Sequence, residues 1–183
     1  MTPMMRTDRG FTLSELLLIV AILATVLGIS VPAAGRMLES VRFNQSARDV
    51  ERELQSARLK AVSKNRRLRV AINCPATGQF RTIEFVGNPA IDDATARCSA
   101  TAYPSPPADN DPATVPNFDG PIRQVTDGVS VTTKRFEFRP DGTAFEIVSN
   151  VPTAIATTST VTITMGTKTK TVSVNALGKI NLQ

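Results

Sequence analysis

Hydrophobic positions fall into three successive patterns along the 183-residue chain. From Leu13 to Val31 they run with little interruption, close to the roughly 20 apolar residues that carry a helix across a bilayer. Pro32 follows, and because proline removes a helical hydrogen bond the stem is expected to kink or locally melt there. Beyond it the period becomes helical: Phe43, Ala47, Val50, Leu54, Ala57 and Ala61 stand 4, 3, 4, 3 and 4 residues apart. That spacing predicts one buried stripe. Arg42, Arg48, Asp49, Glu51, Arg52 and Glu53 lie largely off it, on a face suited to water or a second chain.

At Lys64 or Asn65 the pattern turns to alternation, with Leu68, Val70 and Ile72 on one face and Arg67, Arg69 and Ala71 on the other. This reads as a strand. Further strands are expected at 79–86, 129–133, 135–139, 143–148, 160–165, 169–174 and 179–182. Turn chemistry separates several of them: Pro140-Asp141-Gly142, Gly166-Thr167-Lys168 and Ala176-Leu177-Gly178 each interrupt an alternating run. A helix followed by short antiparallel strands predicts an α+β fold. In it, a long hydrophobic stem helix over 11–34 continues into an amphipathic half over 35–64, which packs on an antiparallel β-sheet head over 65–183.

Composition narrows the chemistry. There is no His, no Trp and a single Tyr, Tyr103, in a chain long enough for one stem and one modest core. Without histidine no Ser-His-Asp triad, His-based zinc site or histidine proton shuttle can be assembled, and two cysteines cannot make a Cys-only zinc site. No catalytic residue, metal or cofactor is expected. The proline-rich stretch 99–117 reads as a long loop, in which Asp109-Asn110-Asp111 lacks the wider ligand pattern of a calcium site.

Glu15 is the one carboxylate inside the apolar run, where an ionisable group is costly and calls for a function. A cut between Gly10 and Phe11 would supply its partner, because the new amino group lies four residues from Glu15 on the same helical face. Arg9-Gly10-Phe11-Thr12-Leu13-Ser14-Glu15 with the apolar stem behind it resembles the type IV prepilin superfamily of pilins and type II secretion pseudopilins. The resemblance implies that 1–10 is a leader removed after Gly10 by a prepilin peptidase, that Phe11 is N-methylated, and that Glu15 registers each subunit against its neighbour. An ordinary secretory signal, with Val31-Pro32-Ala33 as its cleavage site, rarely carries a Glu inside its apolar region. Arg6 and Arg9 before the span place the leader in the cytoplasm and the head in the periplasm of an inner-membrane, single-pass protein. That compartment is oxidising, so Cys74 and Cys98 are expected to form a disulfide.

The head extends the resemblance. Residues 57–65, the strand entering Cys74-Pro75, Phe136-Glu137-Phe138-Arg139-Pro140-Asp141-Gly142-Thr143 and Val174-Asn175-Ala176-Leu177-Gly178-Lys179-Ile180 look like the GspH/FimT group of minor pilins and pseudopilins. This implies a low-copy component near a filament tip, FimU-like in priming type IV pilus assembly with other minor pilins, the major pilin and the inner-membrane assembly platform. A GspH-like pseudopilin of type II secretion is the nearest alternative. A FimT-like DNA-binding competence pilin is another, since the net charge is +5 and falls only to +4 when the leader takes away two arginines and one aspartate. The Gly-Arg-x-Arg motif of such proteins is replaced here by Gly178-Lys179-Ile180-Asn181, which disfavours DNA and leaves Lys168, Lys170 and Lys179 as weak contacts. Lys64, Arg66, Arg67 and Arg69 are expected on a solvated strand face.

Overall fold

The computed structural model describes residues 12–107 and 115–183, with the side chains of 29, 31–33 and 36 excepted. Gly10, Phe11 and Asp109-Asn110-Asp111 therefore lie outside the described residues. Helix α1, Leu13–Lys64, is 52 residues long. Thr12 caps it, its hydroxyl accepting the Glu15 N–H at 3.3 Å, so the stem begins with the Thr-x-x-Glu arrangement that satisfies orphan amides. The backbone stays helical through Pro32, and the local melting expected there does not occur. One proline removes one hydrogen bond, and the flanking turns keep theirs.

The chain divides into two units, Met1–Val41 and Arg42–Gln183. Among the described residues of the second, ten strands form two antiparallel sheets. The larger has the order β3(Arg123–Gln124), β2(Gln79–Phe85), β1(Arg67–Ile72), β5(Arg135–Phe138), β6(Ala144–Val148), β7(Val151–Ala154), and the smaller β10(Ile180–Leu182), β9(Lys168–Asn175), β8(Thr158–Met165), β4(Ser130–Val131). A four-residue helix, α2(Pro89–Asp92), lies in the β2–β3 connection, with Asn88 as its cap. The α+β architecture, with a helix on antiparallel sheet, is as the hydrophobic pattern predicts. All six residues of the helical stripe are buried, and they share one core with Leu68, Val70 and Ile72 of β1, Phe136 and Phe138 of β5, Val161 and Ile163 of β8 and Val172 and Val174 of β9.

Each of the three turn sequences closes a hairpin. At the first, Asp141 accepts both the backbone N–H and the hydroxyl of Thr143, at 3.0 and 2.6 Å. Those bonds hold the Asp141 carboxyl below the usual carboxylate range.

Two expectations about charged side chains are corrected. Arg69 is 5% exposed and not solvated. It stands opposite Glu137 across β1 and β5, bonds that carboxylate at 2.9 Å, and lies 3.8 Å from the Phe85 ring centre. A buried guanidinium is tolerated because its charge is paired and its flat face is stacked. Glu53 is likewise buried, held by the Thr82 hydroxyl at 2.5 Å and Arg123 at 2.7 Å.

Candidate assembly surfaces of stem and head

Glu15 sits in the first turn of α1 with an exposed side chain, where the partial positive charge of the helix start favours a carboxylate. Leu13, Leu16, Leu17, Leu18, Ile19, Val20, Ile22, Leu23, Val26 and Leu27 behind it are all exposed. So continuous an apolar surface requires a cover of lipid or protein. No helix among the described residues is long and apolar enough to cross a membrane. The run read as a span, Leu13 to Val31, includes Ile29 and Val31, whose side chains lie outside the described residues.

On the head, Cys74 and Cys98 are joined as expected, with their Cα atoms 5.5 Å apart. The sulfur bridge is one of several ties holding the connection between β2 and β3 against the outer face of the larger sheet. Arg81 of β2 is fully buried and donates to the carbonyls of Gly120, Cys98, Ser99 and Tyr103 at 3.1 to 3.3 Å. Arg97 forks onto Asp119, donates to the Glu84 carbonyl at 2.7 Å and stacks 4.5 Å from the Tyr103 ring centre. Asp119 also accepts the Glu84 N–H at 2.7 Å, while the Glu84 carboxylate accepts the N–H groups of Asn117 and Phe118. Burial lowers the Arg81 guanidinium from its ordinary value; Asp119 raises it again and Arg97 lowers it further. Arg81, Arg97 and Asp119 carry no motif, and only the fold brings them together.

A second polar tie joins the two sheets. Lys134, just before β5, and Ser159 of β8 both donate to Glu146 of β6, at 2.8 and 2.6 Å. Burial raises the Glu146 carboxyl, but these bonds and the lysine charge outweigh it and leave its pKa lowered. A lowered folded-state pKa stabilises above the unfolded value and is lost as pH falls through the folded value. Glu146→Gln is therefore expected to melt earlier than the unaltered protein at about pH 7, with the gap closing below about pH 4. Thermal melts across that range check it, and a gap that ignores pH contradicts it.

The lysines read as weak DNA contacts do not form one patch. Lys168 and Lys170 share a face of β9 near its start, whereas Lys179 follows β9 at the other end, its N–H held by the Asn175 side chain at 2.8 Å. At about 3.3 Å per residue, β9 sets its Asn175 end, where Lys179 is held, about 23 Å from Lys168 and about 17 Å from Lys170. Lys179 instead adjoins Arg58, Leu59, Gln55, Gly178 and Ile180 around an open cavity of about 330 Å³. Arg58 ties two turns to α1 there, donating to the Gly142 carbonyl at 3.1 Å and the Leu177 carbonyl at 3.2 Å.

Residues 46–178 match the family model described as type II transport protein GspH, and residues 5–31 match the prokaryotic N-terminal methylation motif. No curated protein matches the sequence significantly. Two crystal structures of the type IV minor pilin FimU of Pseudomonas aeruginosa strain PAO1 are similar. The P21 form is 14% identical, with a TM-score of 0.50 over 80% of this chain and 92% of that one. The P65 form is 14% identical, with a TM-score of 0.46 over 76% and 91%. At that identity the likeness of the first is a likeness of fold. The methylation motif implies prepilin peptidase processing and assembly with pilin-type subunits, as a membrane-anchored pilus component. With the head and lower helix matched by one model and the stem by the other, the chain belongs to the GspH family, structural proteins of the type IV pilin superfamily.

Proposed function

We propose that the protein is a minor pilin that helps prime type IV pilus assembly near the filament tip, with a structural and not a catalytic role. It is held as a single-pass inner-membrane protein through 11–34, with its head in the periplasm, until it enters a filament. Prepilin peptidase removes 1–10 after Gly10, Phe11 is N-methylated, and Glu15 registers the stem against its neighbours. The observation that carries this reading is the joining of a methylation motif over 5–31 to a GspH-family head over 46–178 through helix α1. The family model's description favours a second reading, a pseudopilin of type II secretion, with the same processing and fold.

Mass spectrometry of the chain's N-terminus in its own cells tests the shared step. The mature protein is expected to begin at Phe11 with one added methyl group, and Gly10→Ala to keep its leader and yield no filament-borne protein. Normal maturation of Gly10→Ala would contradict the reading.

A further inference from the structure

Five large apolar side chains are exposed among the described residues of the head, and three of them stand where two turns close on α1: Leu59 at 66%, Val62 at 49% and Leu177 at 73%. Leu59 and Val62 stand three apart on α1, so they share a face. Leu177 belongs to the β9–β10 turn whose carbonyl Arg58 holds, and that turn and Leu59 both border the 330 Å³ cavity. The arrangement is fixed. Gly178 has a φ of +70°, and a Cβ there would run into the Gly142 carbonyl and the Arg58 guanidinium. Only glycine lets the two turns close on α1 at Arg58, the sequence neighbour of Leu59.

The charge around the cavity is one-signed. Arg58 and Lys179 line it, and no carboxylate among the described residues does. Arg58 is engaged with two carbonyls, which leaves exposed Lys179 as the cation turned to solvent. One or two cations neutralise too few phosphates to hold a nucleic acid against salt, since each contributes only about one unit of salt slope. Three exposed apolar side chains instead suit a protein, where an apolar anchor fills the pocket and a rim charge sets the register. On the reading of this chain as a filament subunit, we infer that Leu59, Val62 and Leu177 with Lys179 form the docking site for a neighbouring subunit, which inserts an apolar side chain flanked by a carboxylate. The turn at which Gly178-Lys179-Ile180-Asn181 replaces the Gly-Arg-x-Arg motif is thereby a protein contact.

The test uses the full-length protein in membranes of its own cells, with the photocrosslinker p-benzoylphenylalanine in place of Leu59, Leu177 or Val148. Val148 is exposed at the β6–β7 turn and serves as the control. Sequenced adducts from 59 and 177 are expected to be the same pilin-type subunit, joined through a peptide with Asp or Glu within about one turn of an apolar residue, and 148 to give none of it. Lys179→Glu is expected to lower that adduct about tenfold by setting like charges together, with the melting temperature unchanged. An adduct indifferent to Lys179→Glu, or adducts only with nucleic acid, lipid or a basic segment, would overturn the inference. So would a chain that is processed and enters filaments yet gives no adduct at either position. A chain that never loses its leader would overturn the filament-subunit reading itself.

Discussion

Asp119→Ala is expected to cost the head about 3 to 5 kcal/mol, because it strands buried positive charge. Asp119 is the carboxylate onto which Arg97 forks, and it lies 3.8 Å from Arg81. Both arginine side chains are within the protein, 4% and 0% exposed. Removing the carboxylate also leaves the Glu84 N–H without its acceptor. Such a loss is a large part of the 5 to 15 kcal/mol that holds a typical domain together. Asp119→Asn keeps an acceptor for that N–H while discarding the charge, so it is expected to fall between the two. Urea unfolding of the full-length protein in detergent, disulfide intact, measures all three. A change below about 1 kcal/mol in Asp119→Ala would place it among ordinary surface substitutions and contradict the buried lattice.

Glu15→Ala is expected to leave leader removal intact and to reduce filament number to that of cells lacking the protein. On the proposed function the two steps separate, because cleavage would read the Gly10-Phe11 junction whereas Glu15 would act through a neighbour's charge. The side chain is exposed in the first helical turn, so its loss removes about 0.3 to 1 kcal/mol of local dipole stabilisation, too little to unfold the stem. Glu15→Asp keeps the charge with a shorter reach and is expected to recover part of the filaments. N-terminal mass and pilus counts, taken together, check both variants; full piliation by Glu15→Ala would remove the role given to this carboxylate.

What the sequence made legible was whatever depends on neighbours in the chain. The stripe from Phe43 to Ala61 is buried as its spacing predicts, and the turns at 140–142, 166–168 and 176–178 close hairpins, because both signals are local. Strand β7 escaped notice, since Val151-Pro152-Thr153-Ala154 is short, carries a proline and sits at the sheet edge where proline is tolerated. The buried charges were illegible for a different reason. Arg69 finds Glu137, Glu53 finds Arg123, and Arg97 finds Asp119 across spans of sequence that no periodicity connects. Arg69 and Glu53 read as solvated charges until their partners were placed beside them. The separation of the lysine candidates was illegible by the same logic, since β9 sets Lys168 and Lys179 at opposite ends.

Priming is tested most directly by counting pili on cells from which this chain alone has been deleted, with major pilin levels and type II secretion followed in the same cells. The account predicts few or no pili, unchanged major pilin in the membrane, normal secretion, and recovery of pili by the unaltered chain but not by Glu15→Ala. Normal pili with failed secretion would contradict it and assign the protein to the secretion machine.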